Sequence, residues 1–117
     1  MSNVVIYHNP RCSKSRQTLA LLQARGIEPE QVLYLETPPQ PAELRRLLKL
    51  LNIPARQLLR KGEAEFKELK LMDDTLGENS LIEAMSEHPR LIERPIVVYG
   101  DKAVIGRPPE KVLELIP

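Results

Sequence analysis

Cys12 is the residue of this chain best suited to nucleophilic chemistry. It is the only cysteine in the sequence, and Arg11, Lys14 and Arg16 surround it with basic side chains. It follows an apolar run at 4–7 that predicts a strand, and it immediately precedes a segment that predicts a helix. The first turn of a helix has unpartnered backbone N–H groups and a partial positive charge, which both favour a thiolate. The sequence therefore predicts a thiol pKa below the ordinary value of about 8.5.

A single cysteine also limits the redox chemistry of the chain. No internal disulfide can form, and Ser15 stands where a Cys-x-x-Cys oxidoreductase carries its second cysteine. A two-electron reduction by thiols joins two sulfur atoms, so the second sulfur must come from another molecule. With one cysteine and two histidines, His8 and His88, we expect no structural zinc site. His8 lies four residues before Cys12 and is a candidate partner of the thiol.

Composition and charge are typical of an ordinary globular domain. Lys and Arg total 17 against 16 for Asp and Glu in 117 residues, so the net charge of +1 gives no electrostatic footprint for nucleic acid. The longest apolar runs have four residues, whereas a membrane helix needs ~20. The first residues lack the pattern of a signal peptide, and a lone cysteine fits a reducing compartment. We therefore expect a cytoplasmic monomer that binds neither nucleic acid nor membranes.

The first part of the chain has the pattern of a βαβ unit. Strands are predicted at Val4–Tyr7 and Val32–Leu35, and a helix is predicted between them over 13–25. Because a helix connects them, the two strands should be parallel. One side of this helix is predicted to carry Thr18, Leu21, Leu22 and Arg25.

The remainder predicts helices followed by a β-hairpin and a last helix. The central helices are expected over 41–51, 55–60, 64–70 and 78–88. The hairpin strands are expected at 96–99 and 103–105, and a helix should run from Pro108 or Pro109 to Leu115. The pattern predicts an α/β fold with a four-stranded mixed sheet. One domain over 1–117 would carry a helical insertion, about residues 40–90, between its β-α-β and β-β-α halves.

Several segments, taken together, resemble a known family. They are Tyr7–Arg16 (YHNPRCSKSR), Leu33–Pro39 (LYLETPP), Leu58–Lys61 (LLRK), His88-Pro89, Leu91–Val98 (LIERPIVV) and Ile105–Pro108 (IGRP). This set resembles the glutaredoxin-linked arsenate reductases of the ArsC-like family, which have a thioredoxin-like fold. The resemblance covers essentially the whole chain, and its most specific part is the loop around Cys12 combined with Glu93-Arg94-Pro95.

The resemblance implies roles for individual residues. It implies that Cys12 is the nucleophile that attacks arsenate and that His8 helps to hold the cysteine as a thiolate. Pro95, implied to be a cis-proline, and Ser15 would support the site. Guanidinium groups stay charged and grip tetrahedral oxyanions, which offsets the repulsion between a thiolate and arsenate. The arginines that the resemblance implies as oxyanion-binding are Arg60, Arg94 and Arg107.

The electron donors are likewise implied by the resemblance. Glutathione would be the co-substrate and would form a mixed disulfide with Cys12, which glutaredoxin would then reduce. No bound cofactor and no metal are expected.

Two other functions remain open at this point. The first is a general thiol-transferase that acts on glutathione mixed disulfides, although such an enzyme has no need of three oxyanion-binding arginines. The second is a regulator similar to the Spx proteins, which bind RNA polymerase. Spx-like chains usually carry a Cys-x-x-Cys switch, and Ser15 argues against that function.

Overall fold

The computed structural model describes residues 3–116, and the chain divides into two compact units. The first unit comprises Met1–Thr37 and Arg94–Pro117, and the second comprises Pro38–Glu93. The second unit holds the helices that we predicted as an insertion, while the single domain over 1–117 stays a prediction. None of the helices within residues 3–116 combines the length and the apolar character that crossing a membrane requires.

The regular elements fall in the order expected for the chain. The strands are β1 (Val4–Tyr7), β2 (Glu30–Val32), β3 (Ile96–Tyr99) and β4 (Lys102–Ile105). The α-helices are α1 (Ser13–Ala24), α2 (Pro41–Leu51), α3 (Ala55–Leu58), α4 (Ala64–Glu68) and α5 (Glu78–Glu87). Short 3-10 helices cover Pro89–Leu91 and Pro109–Glu114.

All four strands belong to one mixed sheet in the first unit. Its strand order is β2-β1-β3-β4, with β1 parallel to β2 and antiparallel to β3, and with β3 antiparallel to β4. This confirms the predicted α/β class and the four-stranded mixed sheet, and it is consistent with a thioredoxin-like fold. The carboxyl end of β1 leads into α1, so the sheet fixes the place where Cys12 begins a helix.

The second strand was predicted too late in the sequence. We expected it at 32–35, but β2 ends at Val32. The register with β1 explains the difference, because Tyr7 is the last residue of β1 and lies opposite Val32. One further main-chain bond joins the His8 N–H to the Val32 carbonyl at 2.9 Å, and the chain then turns away. The apolar residues after Val32 therefore form a turn in which Tyr34 is buried.

The last helix is a 3-10 helix instead of the expected α-helix. Its buried residues are Pro109 and Val112, and the buried cap residue Leu115 continues the same interval of three. A 3-10 helix has three residues per turn, so it places all three on one side, whereas an α-helix would rotate them apart. Main-chain bonds across three residues, such as Leu115 N–H to the Val112 carbonyl at 3.1 Å, close these turns.

The buried side of helix α1 includes Thr18 and Leu22 from the predicted set but not Arg25. Ser15, Thr18 and Leu22 are buried, whereas Arg25 is exposed and follows the last helical residue. Gly26 then adopts a left-handed φ of 77°, which ends the helix. The apolar core under α1 consists of Val4, Ile6, Leu22, Val97, Val112, Leu115 and Ile116.

The second unit is held by the two amphipathic helices that the sequence predicted. The buried side chains are Leu44, Leu47 and Leu48 on α2, and Leu81, Ile82 and Met85 on α5. Two segments within this unit also pair, since Leu59 and Ile92 form an antiparallel bridge. In the same pairing the Arg60 N–H donates to the Leu91 carbonyl at 2.7 Å, which fixes the backbone at Arg60.

Candidate active site

Cys12 is the residue at the N-terminal cap of α1. Its backbone is extended, with φ −96° and ψ 124°, and its carbonyl accepts the first hydrogen bond of the helix from the Arg16 N–H at 3.0 Å. Its own N–H donates to the Asn9 carbonyl at 3.0 Å. The side chain is partly exposed. A cap side chain faces the unpartnered N–H groups of the first turn, so the thiol occupies the position where a helix best accommodates negative charge.

The thiol pKa is set by opposing influences. Burial raises the pKa of Cys12 and is the largest single influence. The backbone N–H of Ser15, the positive charge of Arg94 and the backbone N–H of Lys14 all stabilise the thiolate. Together they outweigh burial and hold the pKa below its ordinary value. Arg94 was predicted only as an oxyanion ligand. Its lowering of the Cys12 pKa was not predicted from the sequence.

Ser15 connects the helix to the loop that precedes it. Its side chain is fully buried, and its hydroxyl oxygen accepts a hydrogen bond from the Asn9 N–H at 3.0 Å. A second hydrogen bond joins the same oxygen to His8 Nδ1 at 2.7 Å. The hydroxyl at this position therefore fixes the loop geometry on the N-terminal side of Cys12.

His8 is a buried, neutral imidazole in this arrangement. Burial lowers the pKa of His8 from its ordinary value of 6.5, and the positive charge of Arg16 lowers it further. A ring with a lowered pKa carries no charge at pH 7. The role of His8 in holding Cys12 as a thiolate stays a prediction, and the contact that the structure shows is the one with Ser15.

The basic residues around Cys12 act differently from one another. Arg16 donates from Nη1 to the Pro10 carbonyl at 3.0 Å, which braces the loop from outside. Lys14 contributes to the lowered pKa of Cys12 through its backbone N–H. The Arg11 side chain is exposed, and the Arg11 N–H donates to Asn9 Oδ1 at 3.0 Å.

The segment before β3 carries Arg94 and Pro95, and Arg94 reaches the cysteine. Arg94 is half-buried and interacts with Cys12 by charge and by a side-chain hydrogen bond. The Arg94–Pro95 peptide bond is cis, and Pro95 is buried. Arg107 is exposed and donates from Nη1 to the Arg94 carbonyl at 3.3 Å, and its bond to Pro108 is also cis. Two predicted oxyanion ligands thus lie on segments that contact each other.

Arg60 belongs to the second unit. Its Nη2 forms an ion pair with Glu63 Oε2 at 3.1 Å, and Glu63 Oε1 also pairs with Arg90 Nη2 at 3.3 Å. Arg60 Nη1 donates to the Arg90 carbonyl at 3.3 Å. Binding of an oxyanion by Arg60 stays a prediction.

Two residues with no assigned role in the sequence analysis pack at the centre of the first unit. The Thr18 hydroxyl donates to the Lys14 carbonyl at 2.8 Å and lies 3.5 Å from the Gly106 carbonyl oxygen. The Gly106 N–H donates to the Pro95 carbonyl at 2.9 Å. The sequence carries little signal for this contact, because Thr18 resembles any β-branched helix residue and Gly106 resembles any turn glycine.

A cavity of about 270 Å³ lies beside the loop that leads to Cys12. Its apolar side is formed by Leu33 and Leu35, and the latter is 38% exposed. Two exposed side chains of opposite charge, Arg11 and Glu36, also line it. The complete lining is His8, Asn9, Pro10, Arg11, Leu33, Leu35 and Glu36. Across residues 3–116 no cluster of His, Cys, Asp or Glu is arranged to hold a metal ion.

Comparison with known proteins places this chain in a family. A sequence model of the ArsC family matches residues 7–115. The chain belongs to the ArsC family. This confirms the resemblance noted in the sequence.

Members of the ArsC family with solved structures or curated names are similar over nearly the full chain. The structure of an arsenate reductase from Vibrio cholerae superposes with a TM-score of 0.97 at 53% identity and covers 98% of each chain. An arsenate reductase of Haemophilus influenzae is 51% identical over 97% of this chain and 99% of its own length. The Escherichia coli protein YfgD, whose name assigns no activity, is 60% identical over 97% of this chain and 96% of its own length.

The pKa of Cys12 can be measured from the pH dependence of its alkylation by iodoacetamide. We expect a midpoint below the ordinary 8.5, because alkylation follows the thiolate fraction and a lowered pKa moves that fraction to lower pH. The variant Arg94→Gln should raise the midpoint more than His8→Ala, because Arg94 acts by charge and neutral His8 acts only through Ser15.

The exposed arginine after α1 supplies the control for this measurement. Arg25→Gln removes the same charge from the other end of α1, and we expect no change in the midpoint. A wild-type midpoint at 8.5, or a larger shift for His8→Ala than for Arg94→Gln, would contradict the assignment.

Proposed function

We propose that this protein is an arsenate reductase in which the Cys12 thiolate attacks arsenate. The observation that carries the proposal is the lowered pKa of a partly exposed cysteine at a helix N-terminus, beside Arg94. A nucleophile for arsenic(V) must be ionised, and it must approach an anion without excessive repulsion. The names of the Vibrio cholerae and Haemophilus influenzae relatives point to the same activity.

The oxyanion is bound by arginines in this proposal. Arg94 offsets part of the repulsion between the thiolate and arsenate because it already interacts with Cys12. Arg107 adds a second guanidinium, and its bond to the Arg94 carbonyl ties the two segments together. Arg60 is proposed as the third. Its ion pair with Glu63 orients the guanidinium plane, and bidentate contacts depend on that orientation.

The electrons come from two thiols, of which the chain supplies one. The sulfur of Cys12 bonds to arsenic and one arsenate oxygen leaves as water. A glutathione thiolate then closes the disulfide while the electron pair passes to arsenic. In the overall balance, arsenic acid and two thiols give arsenous acid, a disulfide and water, and the two thiols are Cys12 and glutathione. Glutaredoxin then reduces the mixed disulfide and releases the Cys12 thiolate.

The cavity beside the loop suits the peptide part of glutathione. A tripeptide spans at most ~11 Å when extended, so a glutathione whose sulfur reaches Cys12 extends over the neighbouring Arg11. Arg11 would pair with a glutathione carboxylate and Glu36 with its ammonium group. Leu33 and Leu35 would contact the methylene groups.

The activity itself is tested by a coupled assay. Wild-type protein supplied with arsenate, glutathione, glutaredoxin, glutathione reductase and NADPH should consume NADPH in an arsenate-dependent manner. Cys12→Ser should abolish this consumption with the fold unchanged, because the hydroxyl has nearly the same size but does not ionise. Arsenate reduction by Cys12→Ser would exclude Cys12 as the nucleophile. A wild-type protein that turns over glutathione mixed disulfides but not arsenate would instead be a thiol-transferase.

The three arginines are tested by separating the two half-reactions. Replacing Arg60, Arg94 or Arg107 by Ala should slow arsenate reduction, because each replacement removes about 2–4 kcal/mol of transition-state stabilisation. Replacement by Lys should cost less, because the charge stays and only the planar fork is lost. Glutaredoxin should reduce a preformed Cys12–glutathione disulfide at nearly the wild-type rate in the Arg60 and Arg107 variants. Equal slowing of both half-reactions would assign the arginines a structural role.

The glutathione site is tested by the kinetics of the co-substrate. Arg11→Gln should raise the KM for glutathione about five-fold or more and leave the KM for arsenate unchanged, because only the carboxylate contact is lost. Arg46→Gln on the exposed face of α2 is the matched control and should change neither constant. Equal changes in both KM values for Arg11→Gln would place Arg11 at the oxyanion instead of at the peptide.

A further inference from the structure

Gly106 occupies a place in the first unit where no side chain fits. A Cβ atom built on Gly106 would lie 2.6 Å from Thr18 Oγ1, 3.1 Å from Thr18 Cγ2 and 3.0 Å from Pro95 Cγ. Carbon and oxygen atoms that are not bonded do not approach to 2.6 Å, so an alanine there must push its neighbours away. The neighbours belong to α1 on one side and to the cis-proline segment on the other.

The requirement at Gly106 is for space and not for an unusual backbone. Gly26 and Gly100 have left-handed φ angles of 77° and 63°, whereas Gly106 is outside that region. Gly26 and Gly100 also have open space where a Cβ would go. Gly106 therefore differs from the turn glycines, and its role is close packing.

The neighbours of Gly106 have little freedom to yield. Thr18 is β-branched, which restricts its χ1 angle in a helix, and its hydroxyl is engaged with the Lys14 carbonyl. Pro95 has a rigid ring, and its carbonyl accepts the Gly106 N–H at 2.9 Å. A displacement would therefore move the backbone of α1 or of the Arg94–Pro95 segment.

Helix α1 and the Arg94–Pro95 segment position Cys12 and Arg94. Cys12 caps α1, and Arg94 directly precedes Pro95. A helix moves nearly as a rigid body, so a shift at Thr18 is transmitted to its N-terminal cap. We propose that Gly106 is a positioning residue, whose missing side chain lets α1 pack against the Pro95 segment closely enough for Arg94 to reach Cys12. The effect of Gly106 on catalysis rests on the proposed arsenate reduction, whereas its effect on the position of the thiol does not.

The experiment measures Cys12 alkylation against pH in Gly106→Ala. We expect the midpoint to move upward, and the rate at pH 7 to fall about three-fold or more, because Arg94 is moved away from the thiol. Gly77→Ala is the matched control, since the Cβ at Gly77 meets nothing within 4 Å and its φ is −82°. It should leave the midpoint at the wild-type value.

A second substitution separates positioning from general damage. Thr18→Ala removes both of the atoms at 2.6 and 3.1 Å, so the double variant Gly106→Ala with Thr18→Ala should regain most of the wild-type midpoint. The inference is overturned if Gly106→Ala leaves the midpoint unchanged, or if Thr18→Ala does not restore it. If Gly106→Ala alone does not fold, the double variant decides: a folded protein with the wild-type midpoint supports positioning, and one with a raised midpoint refutes it.

The readout is independent of the proposed substrate. Alkylation uses no arsenate, glutathione or glutaredoxin, so a protein inactive with arsenate would still test the packing. If wild-type protein reduces arsenate, Gly106→Ala should also lower kcat/KM for arsenate, and Thr18→Ala should restore it.

Discussion

The competition between burial and positive charge at Cys12 governs the pKa of its thiol. A thiolate loses hydration when it is partly enclosed, and this loss raises the pKa of Cys12 more than any single favourable contact lowers it. The balance becomes favourable only because two backbone N–H groups and Arg94 act on the same sulfur atom. None of them is sufficient alone, so the lowered pKa of Cys12 depends on how accurately two separate segments of the chain meet.

The first unit supplies that accuracy by joining the two segments at more than one point. β1 and β3 are neighbours in the sheet, so the loops at their ends leave from adjacent strands. The Pro95 carbonyl accepts the Gly106 N–H, and Arg107 reaches the Arg94 carbonyl, so the chain after β4 is bound to the chain before β3. Thr18 and Gly106 then bring α1 against this pair. The site is built from main-chain carbonyls and close packing as much as from charged side chains.

Much of this arrangement could be predicted from the sequence, and the exceptions have physical causes. The apolar patterns placed β1, β3 and the amphipathic helices of the second unit, because burial determines where apolar residues fall in these elements. The prediction failed for β2 because the apolar run continues after Val32, where β1 offers no further partner. The register between two strands cannot be found from the sequence of one of them. The prediction also failed for the last helix, because a spacing of three fits both helix types over one turn. The roles of Gly106 and Thr18 depend on a contact between residues 88 apart, which no local pattern contains.

Ser15 has a consequence for how such a protein could change its electron supply. Its hydroxyl oxygen serves the Asn9 N–H and the His8 ring at once, and the residue has no exposed surface. A sulfur atom at this position would be larger and a poorer acceptor, and it would be sealed away from solvent and from partner proteins. A cysteine here would therefore weaken the hydrogen bonds that hold the loop before Cys12. Under the proposed function the Ser15 hydroxyl serves the loop and not the redox chemistry, and the rate of turnover would follow the supply of the external thiol.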